Sequence, residues 1–311
     1  MDIFLHQFWL ALPLFSLVLI GYVTQRLSGW PVSVLDGLTR FVFTLAVPAM
    51  LFHLMSNSRD LPPVDSRLLI AFFGGCLIVF GFGRLVSWKI FALDGASQSV
   101  FAMGGIFSNC VMLGLPLAKI ALGEASVPSV ALVVVFNSLT LWTLVSVSVE
   151  WARYGSYSLK GFLNTAKGVL TNPIVASVLS GTLFSLTGWK MPEVIDSPIA
   201  MLAEAASPMA LIVLGMGLVR YGIRGGARIS LAIASIKLVV QPLAVWALAW
   251  LIGLPKIETQ AVVLLASMAM GANVYLMSCQ FKVLEGPTAS ALVLTTLLAS
   301  VTTPLILALM H

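Results

Sequence analysis

Charge is scarce in this 311-residue chain: 9% of the residues are Asp, Glu, Lys or Arg, while 59% are hydrophobic. Soluble domains run near 25% charged, so a water-facing surface cannot be built from so few. A mean hydropathy of +1.02 agrees, and the apolar surplus is left to face lipid. Cysteine is scarce too. Cys76, Cys110 and Cys279 are odd in number, scattered and set in apolar runs, which argues against a disulfide framework and reads as packing. His6, His53 and His311 are too dispersed to mark a metal site. There is no His/Asp/Glu cluster, nucleophile–base set or phosphate-binding glycine loop, so neither an enzyme, a cofactor nor a nucleotide-driven pump is expected. No Lys or Arg precedes Phe8, so the basic start of a cleavable signal is missing and the stretch 8–25 reads as a retained span.

Apolar length is what the chain has instead. A helix needs about 20 apolar residues to cross the hydrocarbon core, and ten runs qualify: 8–25, 36–55, 67–91, 97–121, 127–150, 170–187, 197–219, 229–252, 259–281 and 287–309. They are continuous, unlike the short alternating segments of a β-barrel. Trp9, Trp30, Trp88, Trp151, Trp189 and Trp250 fall near their ends, where interfacial aromatics belong. If the N-terminus is outside, the inner loops hold eleven basic residues: Arg26, Arg40, Arg84, Lys89, Arg153, Lys160, Lys167, Arg220, Arg224, Arg228 and Lys282. The outer side holds five, Arg59, Arg67, Lys119, Lys190 and Lys256. The positive-inside rule then places both termini outside, periplasmic for a cell (inner) membrane protein. The net charge of +5 needs no nucleic-acid partner to explain it.

The second half echoes the first at an offset near 160 residues. Gln98-Ser99-Val100 is matched by Gln260-Ala261-Val262, Asn109 by Asn273, and Val47-Pro48-Ala49-Met50 by Ser207-Pro208-Met209-Ala210. Five spans per half is odd, so the second half inserts upside down, an architecture of transporters that places substrate where broken helices meet. The expected fold is therefore an all-α integral membrane protein of about ten transmembrane helices. They form two inverted five-helix repeats, 1–152 and 168–311, with broken, crossing helices four and nine. Helix four reads Gly104-Gly105-Ile106-Phe107-Ser108-Asn109 and then Gly114-Leu115-Pro116; helix nine reads Ala269-Met270-Gly271-Ala272-Asn273. Gly and Asn are poor helix formers, and Asn caps a new start well. Such a start offers backbone donors to an anion. Asn109, Asn273, Asn137, Ser108 and Gly271 are thus the candidate substrate-binding residues, and Gly114 and Pro116 the candidate helix breakers.

Only Glu204 and Lys237 are ionisable groups clearly in mid-span, and an intramembrane charge is a functional hypothesis by default. They are expected either to pair or to act separately, with Glu204 a proton carrier if burial raises its pKa. With Gln241 they form the candidate coupling or gating set. Asp94, Glu124, Glu150, Glu258 and Glu285 all lie near span ends. The lack of a mid-span carboxylate beside the breaks favours an anionic substrate over a cation.

Several runs resemble the auxin efflux carrier family, which includes plant auxin exporters and bacterial malonate or malate carriers. They are Asn109-Cys110-Val111-Met112-Leu113-Gly114-Leu115-Pro116-Leu117 with Lys119 and Gly123, Asn172-Pro173, Ala206-Ser207-Pro208-Met209-Ala210-Leu211 with Gly215, Lys237 with Pro242, and Asn273 with Gln280-Phe281. The resemblance spans the whole chain. It implies a scaffold part (1–56 and 168–222), a transport part (66–152 and 228–311), an elevator-type motion and a carboxylate substrate, a mono- or dicarboxylate or an auxin-like acid. Many relatives carry proline where this chain has Ser108 and Ala269, so a less sharply kinked crossing is expected. Partners are the carboxylate, the bilayer and a second copy in a homodimer. The alternatives left open are a sodium-coupled or cation-exchanging carrier of the same architecture and, more remotely, a membrane receptor.

Overall fold

The computed structural model describes residues 2–57, 64–154, 173–221 and 226–310. Arg59, Lys160, Lys167, Asn172 and Arg224 lie outside the described residues, as does most of the segment between the two expected repeats. The described chain is helical throughout, with one isolated β-bridge. The order is α1 (Asp2–Ser28), α2 (Val32–Phe41), α3 (Val47–Ser56), α4 (Leu68–Lys89), α5 (Gly95–Gly104), α6 (Leu115–Leu122) and α7 (Val127–Tyr154). Then come α8 (Pro173–Thr187), α9 (Glu193–Tyr221), α10 (Ala227–Ser235), α11 (Gln241–Leu251), α12 (Lys256–Ser267), α13 (Ala272–Phe281) and α14 (Glu285–Leu309). π-Helical turns join α2 to α3 and α10 to α11, and a third leads into α6. Proline opens α3, α6 and α11 directly after these turns.

Among the described residues, six helical stretches are long and apolar enough to cross a membrane: Ile3–Ser28, Val32–Ser56, Leu68–Lys89, Glu193–Arg220, Ala227–Leu251 and Glu285–Leu309. Cys110–Leu122, Glu124–Asn137 and Pro173–Thr187 are shorter apolar helices. The chain is thus a multi-pass helical membrane protein. Within the described residues eight of the ten apolar runs fall on a continuous helical stretch and two, 97–121 and 259–281, on an interrupted one, because a lipid-facing segment must satisfy its own backbone bonds. All six boundary tryptophans are exposed.

Two groups of helices pack together. In one, α1 packs along α9, and α3 packs on both α8 and α9. The α1–α9 contact is unusually close, because a Cβ on Gly21 would run into the Ile212 carbonyl oxygen and one on Gly215 into that of Val18. Such small-residue contacts substitute for the missing hydrophobic drive inside a bilayer. In the other group, α4 packs on α5 and α11, α5 on α7, and α11 on α12. Arg84 binds this group at one end, donating to Ser99 Oγ and Gln98 Oε1 on α5 and to Ser148 Oγ on α7. At that end the Asp94 side chain caps α5 through the Ala96 and Ser97 amides, at 3.0 and 3.1 Å. The Ser97 hydroxyl, then the backbone amides, hold its carboxyl below the usual range. Helix α14 touches both groups.

Candidate functional site

The second group contains two interrupted helices. Helix α5 stops at Gly104, and the chain turns through Gly105 to Asn109 before helical winding resumes. Asn109 sits outside the helical region at φ −78°, ψ 65°, and its Oδ1 accepts the Met112 amide at 3.2 Å, an N-cap. Helix α12 stops at Ser267, Met268 is extended at ψ 156°, and α13 starts after Gly271.

The two gaps lie against each other. Asn109 N donates to Ala269 O at 2.9 Å, and Gly271 N donates to Phe107 O at 2.8 Å, so Ser108 and Met270 form an antiparallel bridge. Met270 N is taken up by Thr295 Oγ1 at 3.1 Å, and Thr303 Oγ1 donates to Ser267 O at 3.0 Å. The exposed carbonyls of the two upstream half-helices find partners as well. Lys237 Nζ donates to Ala266 O and Gln241 Nε2 to Ile106 O, each at 2.7 Å. Backbone opened inside a membrane is tolerated only when re-satisfied in this way.

Beside the crossing lies a cavity of about 180 Å³. Ser108, Asn109, Asn137, Gly271 and Asn273 all line it, together with Phe43, Phe107, Cys110, Val134 and Ile174. Three of its polar atoms are buried without a partner among the described residues: Ser108 Oγ, Asn109 Nδ2 and Asn137 Oδ1. A buried polar atom without a bond costs about 1–3 kcal/mol, so these atoms are poised for a ligand or water. The start of α13 also borders the cavity; Val274 N bonds the Gly271 carbonyl at 3.1 Å, while Ala272 and Asn273 hold first-turn positions, where a helix offers its amides no acceptor. Positive helix ends, neutral amides and a wall without a carboxylate among the described residues make a site suited to a small anion.

The structure parts from the sequence reading in three places. Gly114 and Pro116 do not break the helix: Gly114 is helical at φ −63°, ψ −50°, and Pro116 occupies the first turn of α6. The break lies earlier, where Asn109 caps. The crossing without proline is a full interruption of both helices, not a softer kink, because the two extended gaps bond to each other. Glu204 is neither buried nor beside Lys237. It is exposed on a separate cavity of about 240 Å³ with His53 and Lys119, while Lys237 is fully buried. Equal depth along two helices places no two side chains on facing sides.

Thr295, Thr303, Phe43 and Ile174 were not singled out by sequence. A hydroxyl in an apolar helix ordinarily bonds its own preceding turn, as Thr296 does with Leu292 O. Nothing local separates Thr303 from it.

A family model described as "Membrane transport protein" matches residues 8–158 and 159–307. A Rhizobium meliloti protein named "Putative malonate transporter" is 28% identical over 299 residues, covering 94% of this chain and 92% of its own. The Escherichia coli K12 "Uncharacterized transporter YfdV" is 23% identical over 302 residues, 94% of each chain. "Auxin efflux carrier component 3" of Arabidopsis thaliana is 25% identical over 176 residues, 55% of this chain and 27% of that protein.

Proposed function

The chain belongs to the membrane transport protein family, that of the auxin efflux carriers, and from that premise we propose that it is a secondary transporter of a small organic anion. The observation that carries the proposal is the cavity at the crossing. There the start of α13 converges with the Asn109, Asn137 and Ser108 atoms that have no partner among the described residues. Amides bind a carboxylate without the desolvation cost of a fixed charge, which suits reversible loading. At about 180 Å³ the cavity is below the roughly 300–1,000 Å³ of sites for drug-sized ligands. That favours a compact mono- or dicarboxylate of malonate or malate size over a larger auxin-like acid, and the name of the Rhizobium relative points the same way.

In this proposal ten spans form two inverted repeats. The first helical group is the scaffold, the second moves as an elevator, both termini lie outside the inner membrane, and two copies form a dimer. A sodium-coupled or cation-exchanging carrier is the weaker reading, because among the described residues no carboxylate lines the cavity. The test is uptake into proteoliposomes against a panel of radiolabelled mono- and dicarboxylates, with and without a sodium gradient. Saturable, sodium-independent malonate or malate uptake is expected. Failure of every carboxylate, or strict sodium dependence, would falsify the proposal.

A further inference from the structure

Lys237 and Gln241 stand four residues apart, spanning the π-helical turn between α10 and α11. Both are fully buried, yet neither touches the cavity. Each reaches a different interrupted helix. Lys237 takes the Ala266 carbonyl in the last turn of α12, and Gln241 takes the Ile106 carbonyl just past the end of α5. Gln241 Nε2 also contacts Cys76 Sγ on α4 at 3.5 Å. Its Oε1 has no partner among the described residues, so its donor end alone holds it.

The chemistry of the two donors fits the two places. The final carbonyls of a helix carry its negative end, so an N–H donor such as the Lys237 amine is well placed there. Among the described residues no Asp or Glu pairs with Lys237. A π-helical turn inserts an extra residue into the helical winding. Side chains across it are therefore not held to the ordinary i, i+4 stacking, which lets two donors reach two different half-helices.

We propose that Lys237 and Gln241 are the positioning residues of the anion site: one helix uses two donors, one for each break, to hold the crossing in register. Through the paired bonds Asn109 N to Ala269 O and Gly271 N to Phe107 O, that hold fixes where Asn109 and the start of α13 meet the cavity. The inference rests on the cavity being the substrate site, and it reassigns these two residues from coupling to alignment.

Hydrogen exchange on the full-length protein in nanodiscs tests this without any substrate. Lys237→Met and Gln241→Met keep length and remove the donor. Each is expected to speed exchange at the Asn109 and Gly271 amides at least tenfold, with α1 and α9 unchanged. Val245→Ala, fully buried on the same helix and packed on Gly75, is the control for general loosening and is expected to leave both amides slow. Unchanged amides in the Met variants, or equal acceleration in Val245→Ala, overturn the proposal. Malonate serves as the transport probe: both Met variants are expected to raise its half-saturation concentration several-fold. A wild type that moves no carboxylate overturns the transport reading, and the exchange result still decides the alignment of the crossing.

Discussion

Asn109 and Ala269, 160 positions apart in the chain, share a backbone hydrogen bond of 2.9 Å at the centre of the protein. Asn109 has three roles at that point. Its N–H closes the crossing, its Oδ1 caps the next helical turn, and its Nδ2, on the cavity wall, has no partner among the described residues. Substitutions can separate these roles.

Asn109→Ala removes both the cap and the free donor. A lost N-cap costs about 1 kcal/mol, read as a lower melting temperature in detergent, and the initial rate of malonate uptake should fall at least tenfold. Asn109→Ser retains a capping oxygen but lacks the amide donor. It should melt close to wild type and still transport poorly. Full transport by the serine variant would reduce Asn109 to a structural cap.

Asn273 and Asn137 reach the same cavity from α13 and α7. Asn273→Ala and Asn137→Ala should each raise the half-saturation concentration for malonate while leaving the amount of folded protein in the membrane unchanged. Unaltered saturation curves in both would remove the two amides from the site.

Glu204 is exposed on its own cavity, away from Lys237. Wild type and Glu204→Gln should therefore respond equally to an imposed pH gradient in proteoliposomes. Loss of the response in the variant alone would restore this carboxylate as a proton carrier.

Packing at the α1–α9 contact can be tested apart from transport. Gly21→Ala and Gly215→Ala drive a methyl group into backbone and should destabilise by about 1–3 kcal/mol each, as overpacking does. At Gly37, in α2, a Cβ meets nothing within 4 Å. Gly37→Ala should be neutral or gain about 0.5–1 kcal/mol from helix propensity. Thermal unfolding of the three variants side by side makes the comparison.

The proposed orientation, both termini outside, can be read chemically. A membrane-impermeant maleimide applied from outside to intact cells should label Lys190→Cys and spare Ser28→Cys, in a background without the three native cysteines. The opposite pattern would turn the molecule over.

The helices were legible because a segment in lipid must be apolar over its whole length, and hydropathy alone marks that. Asn109 and Asn273 were legible because each falls near glycine inside an apolar run, and Gly and Asn are poor helix formers; an amide alone marks no break, since Asn137 lies in the continuous α7. Pro116 misled because proline suits the first turn of a helix as well as a break, and only the Asn109 cap tells which. Glu204 misled because position along a helix gives depth and not the face a side chain occupies. The tertiary partners of Lys237, Gln241, Thr295 and Thr303 lie 29, 135, 25 and 36 residues away, beyond any local pattern.

The bonds from Asn109 to Ala269 and from Gly271 to Phe107 also set a timetable for biogenesis. When the first gap leaves the ribosome, the chain that will satisfy it has not yet been made. At about 5–20 residues per second, the wait for residue 271 is roughly ten to thirty seconds. For that interval a membrane-inserted peptide segment carries open N–H and C=O groups, each costing several kcal/mol in hydrocarbon. The newborn first half must therefore keep this stretch in contact with water, with the translocon or with an insertion chaperone until its counterpart arrives.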